Sequence, residues 1–229
     1  MVFRKVFYCN NLLYPNAYYR TYIAYQRDKS KKRSGLGVSF KYKFASTKEE
    51  LEQIYQLNYE TFVVEIPQHE GNDQYRLIDR FDNENTYIIA KKENEVIGMI
   101  CVRSNHPFSL EEKGINIHEC LPEGAYPCEI RLLSVKEPYR KSPVFYKLCE
   151  MLVSFCLENG YDMALISGFE KQISLYKRIG FIPFGEMVGA GHAKFQPMYL
   201  TKAQFEQSTR AMKRLLIAQI EKIAYRERE

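Results

Sequence analysis

The chain has 229 residues and a mass of 27.0 kDa, with 45% hydrophobic and 27% charged residues. That is enough chain for a sizeable core and too apolar for a disordered one. The net charge of +5 is unevenly placed: residues 1–43 hold ten Lys/Arg against Asp28 alone, 44–201 hold 16 basic and 23 acidic side chains, and 202–229 hold seven against four. An acidic body argues against specific nucleic-acid binding, and no apolar run is long enough to span a bilayer.

Residues 1–36 read as an extension. Six tyrosines fall in the first 25 positions, and Pro15 opens a short helical pattern through Tyr18, Tyr22 and Tyr25. A basic, turn-rich link (Arg27 to Gly35) follows. The segment suits packing on the domain, or an arm making weak contact with a membrane surface or with nucleic acid. The basic start lacks a continuous apolar stretch, so a secretory leader is not expected and a cytoplasmic location is. Six cysteines without a CxxC pair, and four scattered histidines, suggest reduced thiols and no metal site.

The body spans 37–201. Val38, Phe40, Tyr42 and Phe44 alternate with polar residues, a strand pattern. Thr47 to Glu50 is a capping box opening a helix with Leu51, Ile54, Leu57 and Phe62 on one face. Thr86–Ala90 and Val96–Val102 read as a hairpin turning at Glu93-Asn94-Glu95. Residues 104–127, with three prolines and two glycines, read as loop. Cys128–Val135 is a strand, and Pro143–Glu158 a helix started at Ser142 and stopped at Asn159-Gly160. Met163–Ser167 is a strand, 170–179 a helix ended by Gly180, and 181–188 and 194–201 are strands. Residues 202–229 form a last helix with Met212, Leu216, Ile220 and Ile223 on one side. The fold class is α/β, with a mixed sheet.

Two strings, Val135-Lys136-Glu137-Pro138-Tyr139-Arg140 and Leu175-Tyr176-Lys177-Arg178-Ile179-Gly180-Phe181, resemble the GNAT acyltransferase superfamily. Tyr59-Glu60-Thr61-Phe62-Val63, Asp79-Arg80-Phe81-Asp82, Arg103 and Glu129-Ile130-Arg131-Leu132 are similar to strings in acyl-homoserine-lactone synthases and N-acyl amino acid synthases. The resemblance covers roughly 37–201. It implies a mostly antiparallel central sheet flanked by helices, and transfer of an acyl group from a thioester to an amine.

That reaction needs a base for the amine, stabilisation of the thioester oxygen and a proton for the departing thiolate. The resemblance makes Glu129 the candidate base or amine-orienting group, on a strand whose neighbours Ile130, Leu132, Leu133 and Val135 are apolar. Tyr176 is the candidate acid. In the synthases the glutamate and arginine are three apart. Here Glu129 and Arg131 are two apart, on one strand face, so the arginine's role does not transfer directly.

Leu133, Ser134, Val135, Arg140, Lys141, Ser142 and Val144 are the implied donor-binding residues. GNAT loops usually carry glycines that let helix amides approach a pyrophosphate. Here Arg140 to Phe145 has none, and Pro143 removes a donor. Coenzyme A or an acyl carrier protein then competes as thioester carrier. An acidic carrier suits Lys136, Arg140, Lys141 and Lys147. For a small amine acceptor, Arg103, Arg131, Asp79 and Asp82 are candidates, and Phe62, Phe108 and Phe169 either line an acyl pocket or fill core. The alternative to catalysis is a ligand-binding or regulatory module that lost turnover with its glycines.

Overall fold

The computed structural model describes residues 39–119, 121–189, 194–205 and 207. The extension 1–36, Cys120, His192 and all of the expected last helix except 202–205 and 207, which are helical, lie outside the described residues.

Seven strands form one sheet in the order β1-β2-β3-β4-β5-β7-β6. Strand β1 (Phe40–Phe44) runs antiparallel to β2 (Thr86–Lys92), and β2 to β3 (Glu95–Arg103). The hairpin turns at Glu93-Asn94, with Glu93 at φ 55°. Strand β4 (Pro127–Val135) pairs antiparallel with β3 and parallel with β5 (Met163–Phe169). Strand β7 (Phe195–Thr201) pairs antiparallel with β5 on one side and with β6 (Ile182–Pro183) on the other. The expected strand over 181–188 shrinks to those two residues and a single bridge from Val188 to Phe195.

Helix α1 (Lys48–Tyr59) starts where Thr47 Oγ1 accepts the Glu50 amide at 3.2 Å. The reciprocal half of the expected capping box does not form. Glu50 instead accepts from the Ser46 amide at 3.0 Å and from Lys43 and Lys91 at 2.9 and 3.0 Å, because two cations are in reach. Past Tyr59 the helix widens into a π-helix, Glu60–Glu65.

Helix α1 sends Ile54 and Leu57 onto Tyr87, Ile89, Met99 and Cys101. Helix α3 (Val144–Glu158) covers the other face with Val144, Leu148 and Leu152 on Ile88, Ala90, Ile97, Ile100 and Val102. At about 1.5–3 kcal/mol per fully buried aliphatic side chain, these layers hold the sheet.

The segment expected to be loop, 104–127, carries a one-turn helix α2 (Ser109–Glu112) and a 3₁₀ turn, Ile117–Glu119. Phe108, Leu110 and Ile117 are fully buried against Met163 and Leu165. Helix α4 (Ile173–Ile179) ends at Gly180, whose φ of 111° only glycine adopts without strain. No helix among the described residues is long and apolar enough to cross a membrane.

Candidate active site

Strand β4 is irregular where the chemistry is expected. Its register against β3 runs Arg103↔Glu129, Val102↔Ile130 and Cys101↔Arg131, then resumes at Met99↔Ser134 and Gly98↔Val135. The extra residue is a β-bulge, with Leu132 at φ 50°. The bulge shifts the alternation of side chains. Before it, Glu129 and Arg131 face the α1 side; after it, Leu132 packs with the α1 cluster and Ser134 bonds Thr61 of the π-helix. Ile130, Leu133 and Val135 face α3.

The parallel pairing of β4 with β5 ends at Glu129↔Leu165. Beyond it β4 continues to Val135 and β5 to Phe169 along β7, with no further pairs between them. The two strands therefore part in a wedge, leaving the β5-facing backbone of Ile130–Val135 outside the ladder. Ser167 stands on β5 beyond the last pair, and its buried hydroxyl has no partner among the described residues.

Glu129 sits at the mouth of the wedge, 1% exposed. The apolar residues beside it on the strand are not what its carboxylate meets. Oε2 accepts from the Ser109 amide at 3.1 Å and from Arg103 Nη1 at 3.5 Å, with Arg131 Nε at 3.8 Å. Oε1 accepts the Ser109 hydroxyl. Arg103 is buried, its guanidinium 3.8 Å from the Phe81 ring centre, and it also donates to Glu84 and to the Pro107 carbonyl at 2.9 Å. It braces the site from inside and is not presented to an incoming carboxylate.

Arg131 donates to Asp79 through Nη1 and Nη2, at 2.7 and 3.0 Å, and its guanidinium carbon is 4.7 Å from the Phe81 ring centre. Asp79 also accepts from Asn85 at 2.7 Å. Asp82 takes the hydroxyls of Tyr55 and Tyr87 at 2.7 and 2.8 Å. Burial first, and hydrogen bonding to the carboxylate further, push the Tyr55 hydroxyl up to about 12. The two aspartates are thus partnered within the protein.

Tyr176 lies on the opposite sheet face. It packs with Ile166 and Met198 in the cluster that Ile130 and Ala164 also join, and edge-on to Phe181. Its hydroxyl donates to Gln172 at 2.8 Å. Burial pushes its ionisation above the ordinary phenol range. Glu129 and Tyr176 thus approach the wedge from its two sides.

At the head of α3, Ser142 Oγ donates to the Tyr139 carbonyl at 2.6 Å and accepts the Val144 amide at 3.3 Å. Arg140 donates to the Val135 carbonyl at 2.8 Å and pairs with Glu65 of the π-helix. Lys136 pairs with Glu95 and Lys147 with Glu150, at 2.8 and 2.6 Å. Of the four cations read as attractive to an acidic carrier, three therefore already hold carboxylates, and Lys141 is exposed.

Phe108 is core, and Phe62 and Phe169 are half-buried. The cysteines at 101, 128, 149 and 156 are free thiols, with Cys128 and Cys156 sulfurs 3.7 Å apart. Burial pushes the Cys149 thiol up to about 12, which leaves it inert. No metal-binding group of His, Cys, Asp or Glu occurs among the described residues. An open depression of about 460 Å³ lined by residues including Pro122, Glu123, Asp162 and Met163 lies at the start of β4 and β5, away from the wedge.

Ser109, Glu84, Asn85, Tyr55, Tyr87 and Thr61 escaped the sequence reading. For Ser109 a signal existed: Ser109-Leu110-Glu111-Glu112 has the S-x-x-E pattern of a helix start.

The fourth and fifth strands of the seven-stranded sheet thus part just short of the β4 bulge, and helices cover both faces. Residues 51–181 match the model of the acetyltransferase (GNAT) family, and the chain belongs to it. It is a GNAT-type N-acyltransferase. Among solved structures it is similar to FeeM, an N-acyl amino acid synthase from uncultured soil microbes, at 16% identity over 74% of this chain and 94% of that one (TM-score 0.59). It is also similar to MesI, a CoA-dependent acyl-homoserine lactone synthase, at 16% identity over 75% and 94% (0.60). BjaI, another such synthase, solved with SAM and isopentyl-CoA, follows at 17% identity over 71% and 82% (0.59). No curated protein matches the sequence.

Proposed function

We propose that this enzyme moves an acyl group from a thioester, on coenzyme A or an acyl carrier protein, to the amine of a small amino-acid-like acceptor. The observation that carries the proposal is the wedge between β4 and β5, with Glu129 approaching from one face and Tyr176 from the other. The backbone that Ile130–Val135 turns toward β5 offers donors and acceptors to an extended pantetheine arm, as a sheet edge does to a peptide. Leu133, Ser134 and Val135 would flank that arm. Arg140, Lys141, Ser142 and Val144 would meet the phosphate end.

In this account Glu129 takes the amine's proton. The nitrogen attacks the thioester carbonyl, the C–S bond breaks, and Tyr176 donates a hydrogen bond and then its proton to the departing sulfur. Burial keeps the Tyr176 phenol protonated, so the proton is in place at working pH. The phenolate left on Tyr176 is reprotonated from solvent as Glu129 releases to solvent the proton it took, so the enzyme returns to its starting state. Arg131, less buried than Arg103, is the candidate for an acceptor carboxylate, with Asp79 releasing it.

The likeness to FeeM and to the homoserine-lactone synthases supports an amino-acid-like acceptor. Absent glycines favour a carrier protein, whereas the pairing of Lys136, Arg140 and Lys147 weakens that argument. The test is thiol release and product mass with acetyl to palmitoyl donors, on coenzyme A and on acyl carrier protein, against the standard amino acids and S-adenosylmethionine. Turnover with at least one pair is expected. Binding of donors by calorimetry without turnover by any pair would favour a ligand-binding module instead.

A further inference from the structure

We propose that Ser109 is a positioning residue that sets the proton affinity of Glu129. The inference rests on Glu129 acting as the base and adds to it a control element from the 104–127 segment. The carboxylate is 1% exposed and Ser109 4% exposed, so water does not compete for their contact. The partners of the two carboxylate oxygens differ in kind. Oε2 faces the Ser109 amide at 3.1 Å, Arg103 at 3.5 Å and Arg131 at 3.8 Å, groups that only donate. A proton on Oε2 would confront three donors. Oε1 is held by the Ser109 hydroxyl, and a hydroxyl both donates and accepts. The amine's proton therefore lands on Oε1: its N–H bond breaks, the O–H bond forms there, and the Ser109 hydroxyl rotates from donor to acceptor.

Ser109 is fixed for this task. Phe108 and Leu110 on either side are fully buried, and Glu111 accepts the Phe108 amide at 2.7 Å. The backbone that carries the hydroxyl is thereby anchored in the core.

The experiment follows the Glu129 carboxyl carbon by NMR in protein labelled at glutamate δ-carbons, its resonance assigned by loss in Glu129→Gln. Removing a hydrogen bond to a charged acceptor in Ser109→Ala moves the titration to higher pH by about one unit, and Ser109→Thr restores it. The acid limb of the pH–rate profile moves with it. An unmoved titration in a folded Ser109→Ala protein overturns the proposal, as does an equal shift in Ser109→Thr. Full activity in Glu129→Gln would instead remove Glu129 as base, a separate result. If Ser109→Ala does not fold, Ser109→Cys gives the same reading with a weaker donor and a smaller shift, and no shift there overturns the proposal.

Discussion

Replacing Arg103 with methionine tests how the buried carboxylate is neutralised. The substitution keeps most of the aliphatic stem and removes the guanidinium, with its charge and donors, from its place 3.8 Å from the Phe81 ring centre. Three groups lose a partner. Glu84 is 37% exposed at its side chain and turns to water at small cost. The Pro107 carbonyl loses a 2.9 Å bond, worth about 1 kcal/mol. Glu129, 1% exposed, keeps only Ser109 and a distant Arg131. Breaking a buried pair by deleting one partner costs about 3–5 kcal/mol. The surviving contacts place this case at the lower end, so the whole deficit is about 3–4 kcal/mol. Urea denaturation of wild type and Arg103→Met at pH 7 measures it. A deficit below about 1 kcal/mol would show that Arg103 does not neutralise Glu129 and refute the account of the cluster.

Two further outcomes are expected. Glu50 is partly opposed by its own burial, but Lys43, the Ser46 amide and Lys91 together draw its ionisation down to about 2. A folded-state value below the unfolded one stabilises above the ordinary carboxylate range and is lost as pH falls through about 2. Glu50→Gln should therefore cost about 1–2 kcal/mol at pH 7, with Lys43 partly screened by solvent, and progressively less below pH 4 in thermal melts. An equal cost at every pH would contradict it. Gly168→Ala places a methyl 2.8 Å from Met198 Sδ and 3.2 Å from both Tyr176 Cδ2 and the Gln196 carbonyl. Overpacking of about 1–3 kcal/mol and slower turnover from a displaced Tyr176 should follow; wild-type melting and kinetics would mean that the β5 backbone does not set the Tyr176 position.

The elements legible in the sequence were those with a local cause. Alternation gave β1, the turn expected at Glu93-Asn94-Glu95 gave the hairpin (Glu95 proves to be the first residue of β3), and Gly180 stopped α4. The capping box was half right, because the cations that captured Glu50 stand on β1 and β2, one of them 41 positions away. The stretch 104–127 looked like loop because its prolines and glycines mask the three apolar residues that bury it. At the site, resemblance pointed to Glu129 and Tyr176, which stand among different neighbours on opposite faces of the sheet. The bulge at Leu132, the depth of Arg103 and the hold of Ser109 on Glu129 arise from pairing across 20 or more positions. No local pattern encodes them.

The most direct measurement is single-turnover thiol release by Glu129→Gln beside wild type, with any donor and amine that wild type accepts. Removing the proposed base while keeping its shape should slow the acyl-transfer step by about 100-fold or more at neutral pH and abolish the acid limb of its pH dependence. Unchanged rate and unchanged pH dependence would contradict the claim that the chemistry occurs where β4 and β5 part.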